Sequence, residues 1–187
     1  MKIELFTKET IASRLAELAG LLADAVHHGA SVGFVLPLAD DEVGAYWRKV
    51  WADVDAGQRL LISAIDEAGR LVGSAQLALE PRANGRHRAE VQKVMVLASH
   101  RGCGIGAALM ARVEAEARAH GRLLLHLDTS VGDGGATRFY DRLGYAFVGG
   151  IPDFAANPDG SFAANAIYYK RLSVQAPGAP AGLSLNR

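Results

Sequence analysis

Cysteine is nearly missing from this chain: one thiol, Cys103, among 187 residues excludes an internal disulfide and fits a reducing compartment. An excess of either charge is missing too, since Lys and Arg together number 20, Asp and Glu number 20, and the formal net charge is +0. That balance favours neither a nucleic acid nor an anionic membrane as partner, and no basic cluster is dense enough to suggest one. No run approaches ~18 consecutive apolar residues, and the N-terminal stretch lacks an apolar core of signal-peptide length. The six histidines show no spacing typical of a zinc site, so no metal is expected. These absences together predict a soluble, cytoplasmic protein.

What is present is a chain of one-domain length that is 50% hydrophobic. Such a chain can bury roughly 70% of its unfolded surface. Strand character at Ile3 to Phe6 gives way to Ile11, Leu15, Leu18, Leu21, Leu22 and Val26, spaced as one apolar face of a helix with Thr7 or Thr10 as cap. Asp40 and Asp41 open a second helix carrying Val43, Tyr46, Trp47, Val50, Trp51 and Val54, with both tryptophans expected in the core. Residues 60–65 and 71–77 flank Asp66-Glu67-Ala68-Gly69 as a hairpin. Further strands are expected at 90–97, 123–128, 145–148 and 166–172, and helices at 105–120 and 135–143. The Pro, Gly, Ala and Ser of residues 174–187 predict a frayed tail after a single domain over 1–173. The order of elements defines an α+β or mixed α/β fold.

The most telling segment runs from Val94 to Ala107. An apolar strand ends in Arg101 and then Gly102, Cys103, Gly104, Ile105 and Gly106, with an amphipathic helix beginning at once. Glycines let the backbone bend and let a ligand approach, while the first N–H groups of a helix lack internal partners and favour an anion. A phosphate-binding turn follows. Gly102-x-Gly104-x-x-Ala107 also fits a dinucleotide fingerprint, with Asp128 placed for a ribose. Chain order opposes that reading, because a doubly wound fold needs several more strand–helix units than the remaining residues can supply.

Arg101-x-x-Gly104-x-Gly106, between a strand and a helix, resembles the signature of the GCN5-related N-acetyltransferase family. Phe139-Tyr140-Asp141-Arg142-Leu143-Gly144-Tyr145 resembles the family's second feature, an aromatic–tyrosine pair closing the last helix. The resemblance covers nearly the whole chain apart from the tail. Leu124 to Thr129, Ala166 to Lys170 and the Pro158-Asp159-Gly160 turn look like the branch typified by the tabtoxin resistance protein.

The resemblance implies a mostly antiparallel sheet, splayed at the cofactor site and flanked by about four helices. It implies acetyl-coenzyme A as donor and a small-molecule amine as acceptor, an amino acid or an amine-bearing antimetabolite, hence a link to antibiotic resistance. It places the pyrophosphate on Arg101, Gly102, Cys103, Gly104, Ile105, Gly106 and Ala107, and the pantetheine amides on the main chain of Met95 and Val96. It offers Tyr140 as the acid for the departing thiolate. Where many members carry an Asn that holds the pantetheine arm, Asp133 stands here, which retains an acceptor but loses the amide donor. Homodimers are common in the family, and the sequence leaves the oligomeric state open.

For the base, Glu90 shares a strand face with Gln92, Val94 and Val96 by simple alternation. Asp128 closes an apolar strand, where a buried carboxylate needs a reason. If the two strands are neighbours, both carboxylates flank the cleft; otherwise Glu90 is a solvated strand end and Asp128 a cap. His126 either joins them or is a satisfied core residue, and the resemblance, in which the second helix often lines the acceptor pocket, implies that Tyr46 and Asp41 touch the acceptor. Two other readings stay open: a non-catalytic acyl-coenzyme A-binding module and a protein N-acetyltransferase.

Overall fold

The computed structural model describes residues 1–131, 135–157 and 160–173. Asp133, the Pro158-Asp159 pair and the expected tail at 174–187 lie outside the described residues. Nine strands and five α-helices are described: β1 (Lys2–Phe6), α1 (Lys8–Ser13), α2 (Leu15–His27), α3 (Asp40–Asp55), β2 (Arg59–Ile65), β3 (Leu71–Leu79), β4 (Arg88–Val96), α4 (Ile105–Ala119), β5 (Leu124–Ser130), α5 (Gly135–Arg142), β6 (Ala146–Gly149), β7 (Ala155–Ala156), β8 (Phe162–Ala163) and β9 (Asn165–Arg171).

Five helices rather than about four arise because the first expected helix is two. Thr7 caps α1, its side chain accepting from the Thr10 N–H at 3.3 Å. Arg14, at φ −114 and ψ 19, ends α1 and begins α2. Its guanidinium is drawn across to the β2–β3 turn, donating to the Gly69 carbonyl at 2.7 Å. The break also rotates Leu15 out of the apolar stripe, leaving it 40% exposed while Leu18, Leu21 and Leu22 are buried. Trp47 is fully buried in α3, but Trp51 is 38% exposed and its indole N–H donates to the Lys8 carbonyl. A small β7–β8 hairpin occupies what reads in the sequence as a plain loop, because segments this short carry no periodic signal.

The main sheet has the order β1-β2-β3-β4-β5-β9-β6, antiparallel except between β4 and β5. One face packs on α4 through Leu109, Met110 and Val113 against β-strand residues such as Leu77, Val91 and Leu125. The other packs on α1, α2 and α3 through Ile11, Leu22 and Trp47 against Leu61 and Met95. The sheet is therefore a mixed α/β layer between two helical layers, as the order of elements implies.

Two irregularities in β4 position the site. The parallel ladder to β5 lasts only from Arg88–Leu124 to Glu90–His126, after which the strands part, although β4 runs on to Val96 and β5 to Ser130. The ladder to β3 slips between Ser74–Met95 and Gln76–Gln92, so β4 has one extra residue there, and Lys93 adopts a left-handed φ of 49. A single extra residue reverses the alternation of faces. Glu90, Gln92, Val94 and Val96 consequently do not share a face. Gln92 and Met95 turn toward the α1–α3 layer, whereas Val94 and Val96 pack against the α4 side.

Leu109 sits with no exposure at the centre of the α4 face. Replacing it with Ala is expected to cost about 2–5 kcal/mol, read from denaturant midpoints at an unchanged slope.

Candidate active site

The parting of β4 and β5 creates two cavities that meet between the strands. The larger, about 900 Å³, runs between the N-terminus of α4, the open edge of β4 and α5. The smaller, about 540 Å³, lies on the α3 side, walled by the loop at 31–35 and by the β7–β8 hairpin. Val94, Thr129, Ser130 and Tyr140 line both, as do Ser31 and Val32.

In the larger cavity the glycine turn presents the open start of α4. Gly102 and Gly104 hold φ values of 80 and 78, a region that disfavours other residues. Nothing lies within 4 Å of where a Cβ would be at either one, so the turn has open space above it. Gly104 caps α4 without a side chain, and the first helical bond runs from the Ala108 N–H to the Gly104 carbonyl. The N–H groups of Ile105, Gly106 and Ala107 thus have no acceptor within the helix. Gly106 serves packing instead, because a Cβ there would come within 3.2 Å of the Phe139 ring. The exposed thiol of Cys103 lies in the turn and donates to the Arg101 carbonyl at 3.8 Å.

The open strand edge offers peptide groups from Val96 but not from Met95. Leu97 donates to the Val72 carbonyl at 3.0 Å, and Met95 is in register with Ser74. Bonding alternates along an antiparallel ladder, so the peptide groups of Met95 face β3 and those of Val96 face the gap. Arg101 already uses its Nε–H on the Val96 carbonyl at 3.3 Å, leaving the rest of its guanidinium for other partners. Arg142 and His28 add further basic groups along this cavity.

Tyr140 stands at the junction. Its ring is buried against Phe139, Tyr145 and Tyr168, with centroids 5.1 to 5.9 Å away. Burial raises its pKa well above the ordinary tyrosine value, and the negative charge of Asp128 adds to the rise. The phenol therefore stays protonated at neutral pH.

Glu90 and Asp128 both line the smaller cavity, on neighbouring strands as the cleft reading requires. Glu90 is half-buried, but Asp128 is exposed, contrary to the expectation of a buried carboxylate, because β5 has left its partner before reaching it. His126 pairs in register with Glu90 but does not line the cavity. From α3 it is Glu42, rather than Asp41, that reaches the cavity wall.

Lys93 is a cavity-lining position that alternation alone misses. Its ammonium lies 5.8 Å from the centroid of the Tyr46 ring. Burial, then the charge of Arg59, push its pKa below the ordinary lysine value, while Asp128 and Glu90 pull it back. Tyr46 is itself fixed: its hydroxyl accepts from Gln76 Nε2 at 2.7 Å, and Gln76 and Gln92 each accept from Arg59 at 2.6 Å. Burial pushes the Tyr46 phenol up to about 12. The signal for Lys93 was two consecutive polar residues, Gln92-Lys93, inside an alternating strand.

Known proteins share this fold. The model of the Acetyltransferase (GNAT) family matches residues 27–145. The chain belongs to the GNAT acetyltransferase family. Among solved structures, a ribosomal-protein-alanine N-acetyltransferase from Brucella melitensis superposes with a TM-score of 0.77 at 22% identity, covering 92% of this chain and 100% of its own. The Salmonella typhimurium protein yncA with its cofactor acetyl-CoA gives 0.74 at 20%, covering 98% and 99%. A phosphinothricin acetyltransferase from Sinorhizobium meliloti in complex with AcCoA gives 0.75 at 18%, covering 96% and 94%. At these identities the superpositions report a shared fold.

Two outcomes are expected. Gly104→Ala strains a left-handed position, costing about 1–2 kcal/mol in thermal or urea unfolding, and weakens coenzyme A binding by calorimetry. The second concerns alkali. The Tyr46, Tyr140 and Tyr145 phenols all have folded pKa values raised above the unfolded value of about 10. Their contribution to stability is fully present below about pH 10 and is lost as pH rises toward the folded values, near 12 for Tyr46. Urea midpoints should therefore hold level to about pH 9.5 and then fall.

Proposed function

We propose that the protein transfers the acetyl group of acetyl-coenzyme A directly to the primary amine of a small molecule, with both substrates bound together. The observation that carries this reading is the meeting of the two cavities at Tyr140, with the open helix start of α4 on one side and the carboxylates of Glu90, Asp128 and Glu42 on the other. The larger cavity suits coenzyme A. Unpaired N–H groups and the α4 dipole would hold the pyrophosphate across residues 101–107, helped by the free part of the Arg101 guanidinium. The Val96 peptide groups would hold the pantetheine arm as an added strand would. Acetyl-coenzyme A supplies an activated acetyl thioester at the junction.

The chain's own residues then solve two proton problems. An alkyl ammonium with a pKa near ~10.4 cannot attack until it loses a proton. Glu90 and Asp128 attract the ammonium and take up that proton, directly or through water. Tyr140, held neutral by burial, gives its phenolic proton to the departing sulfur. The walls at 31–35 and the β7–β8 hairpin enclose a volume suited to a small acceptor. Amino acids and amine-bearing antimetabolites are the acceptor classes proposed, and the phosphinothricin acetyltransferase fold neighbour supports including antimetabolites.

The test is thiol release from acetyl-coenzyme A across a broad panel of amines, including free amino acids, β-lactam-type antimetabolites and a peptide N-terminus. Turnover confined to small amines supports the proposal. Binding of acetyl-coenzyme A without thiol release from any amine overturns it in favour of a binding module. Replacing Glu90 and Asp128 together by Gln and Asn should lower kcat at least about 100-fold while acetyl-coenzyme A affinity stays within about threefold. Tyr140→Phe should lower kcat with little change in KM. Because the Tyr140 pKa lies above the ordinary value of about 10, wild-type kcat should show no alkaline decline below pH 10.

A further inference from the structure

Resting on the acceptor assignment just made, we propose that the acceptor is a zwitterion, an amine that also carries a carboxylate or similar acid group, and that Lys93 binds the acid end. The smaller cavity has two electrostatic poles. Glu90 and Asp128, on the strands beside Tyr140, form the negative one, and Glu42 adds a third carboxylate from the α3 wall. Lys93 forms the positive one and is the only cation among the described residues that line this cavity.

Among the described residues the Lys93 ammonium feels Asp128 and Glu90 at a distance but makes no direct ion pair or hydrogen bond. Neither Glu90 nor Asp128 lies within the 4.0 Å of an ion pair, and among the described residues no carboxylate or carbonyl accepts from its ammonium. Arg59, nearby, is a contrast: its guanidinium is matched by Asp53 at 3.1 Å and by the Gln76 and Gln92 amides. A half-buried ammonium without a counterion is costly, and here the fold accepts backbone strain to put it there. The left-handed φ of 49 at Lys93 belongs to the extra residue in β4 that swings this side chain into the cavity. Beneath it the Tyr46 ring is held by the Gln76 bond, and a Cβ at Gly33 would lie 3.4 Å from the ammonium. The head group is thus placed by its surroundings rather than left to roam in solvent.

An acceptor bearing both an ammonium and an acid satisfies both poles at once. Its ammonium goes to Glu90 and Asp128, where the proton must be lost. Its acid takes the Lys93 ammonium, a charge-assisted contact that also fixes the amine's direction toward the junction. A plain monoamine would leave Lys93 unpaired, and a diamine would bring a second cation against it. Depression of the Lys93 pKa by burial fits an ammonium waiting for a counterion.

The test compares matched acceptors that differ only in the acid group, such as leucine with isoamylamine and phenylalanine with phenethylamine. The expected wild-type result is a preference of at least tenfold in kcat/KM for the amino acid. Lys93→Gln should collapse that ratio toward one, mainly through a higher KM for the amino acid, and Lys93→Arg should retain it. Lys93→Glu should invert it, and this variant keeps the test decisive if Lys93→Gln fails to fold by circular dichroism. A wild type without preference for the acid-bearing partner overturns the proposal, as does a Gln variant that slows both partners alike. Turnover of plain amines alone would sink this inference while sparing the acetyltransferase reading. Absence of turnover with every amine would sink both.

Discussion

Two parallel strands that pair for three residues and then separate leave peptide groups unsatisfied along the inner edge of each. In a closed sheet such groups would be bonded to a neighbour, and leaving them open costs free energy unless water or a ligand answers them. The gap between β4 and β5 after Glu90 and His126 is therefore the constraint from which the rest of the site follows. It opens the Val96 edge, lets the two cavities meet through the sheet, and carries Asp128 away from β4 into solvent contact. Parallel strands need a crossover, and α4 supplies it. The same connection that makes the gap thus delivers a helix N-terminus to its mouth.

Much of this was legible in the sequence because the physics there is local. Glycines at 102 and 104 must adopt left-handed φ, and they do. The apolar spacing of Leu109, Met110 and Val113 dictates an inward helical face, and that face is buried. What sequence reasoning missed depends on tertiary placement. Alternation put Glu90 and Val96 on one face, but a single extra residue at Lys93 reverses the faces beyond it. Met95 read as a strand-edge ligand and instead commits its peptide groups to β3. Arg14 breaks a helix whose apolar period is intact, because its best hydrogen-bond partner lies across the fold at Gly69.

The extra residue in β4 and the gap beside it act together. The gap alone would give a slot lined by whichever side chains alternation supplied. The added residue places Val94 and Val96 toward the α4 side and directs Lys93 to the acceptor side. An apolar wall toward α4 and a charged wall on the smaller cavity therefore arise from neighbouring residues of one strand. Arg59 supports the arrangement from below by tying Gln76 and Gln92 to Asp53, which keeps the Tyr46 platform fixed.

In the larger cavity, one close approach links the glycine turn to Tyr140. Gly106 lies in the first turn of α4, and the Phe139 ring lies 3.2 Å from where its Cβ would be. Phe139 packs edge-on against Tyr140, with 5.1 Å between centroids. The position of the Tyr140 ring is thus tied through one side chain to the helix start that would receive the pyrophosphate. A glycine that reads in the sequence as part of the anion turn also sets how near α5 can approach α4. The start of α4 and the Tyr140 phenol of α5 are thus coupled through the Phe139 ring, so a shift of one helix end is passed to the other.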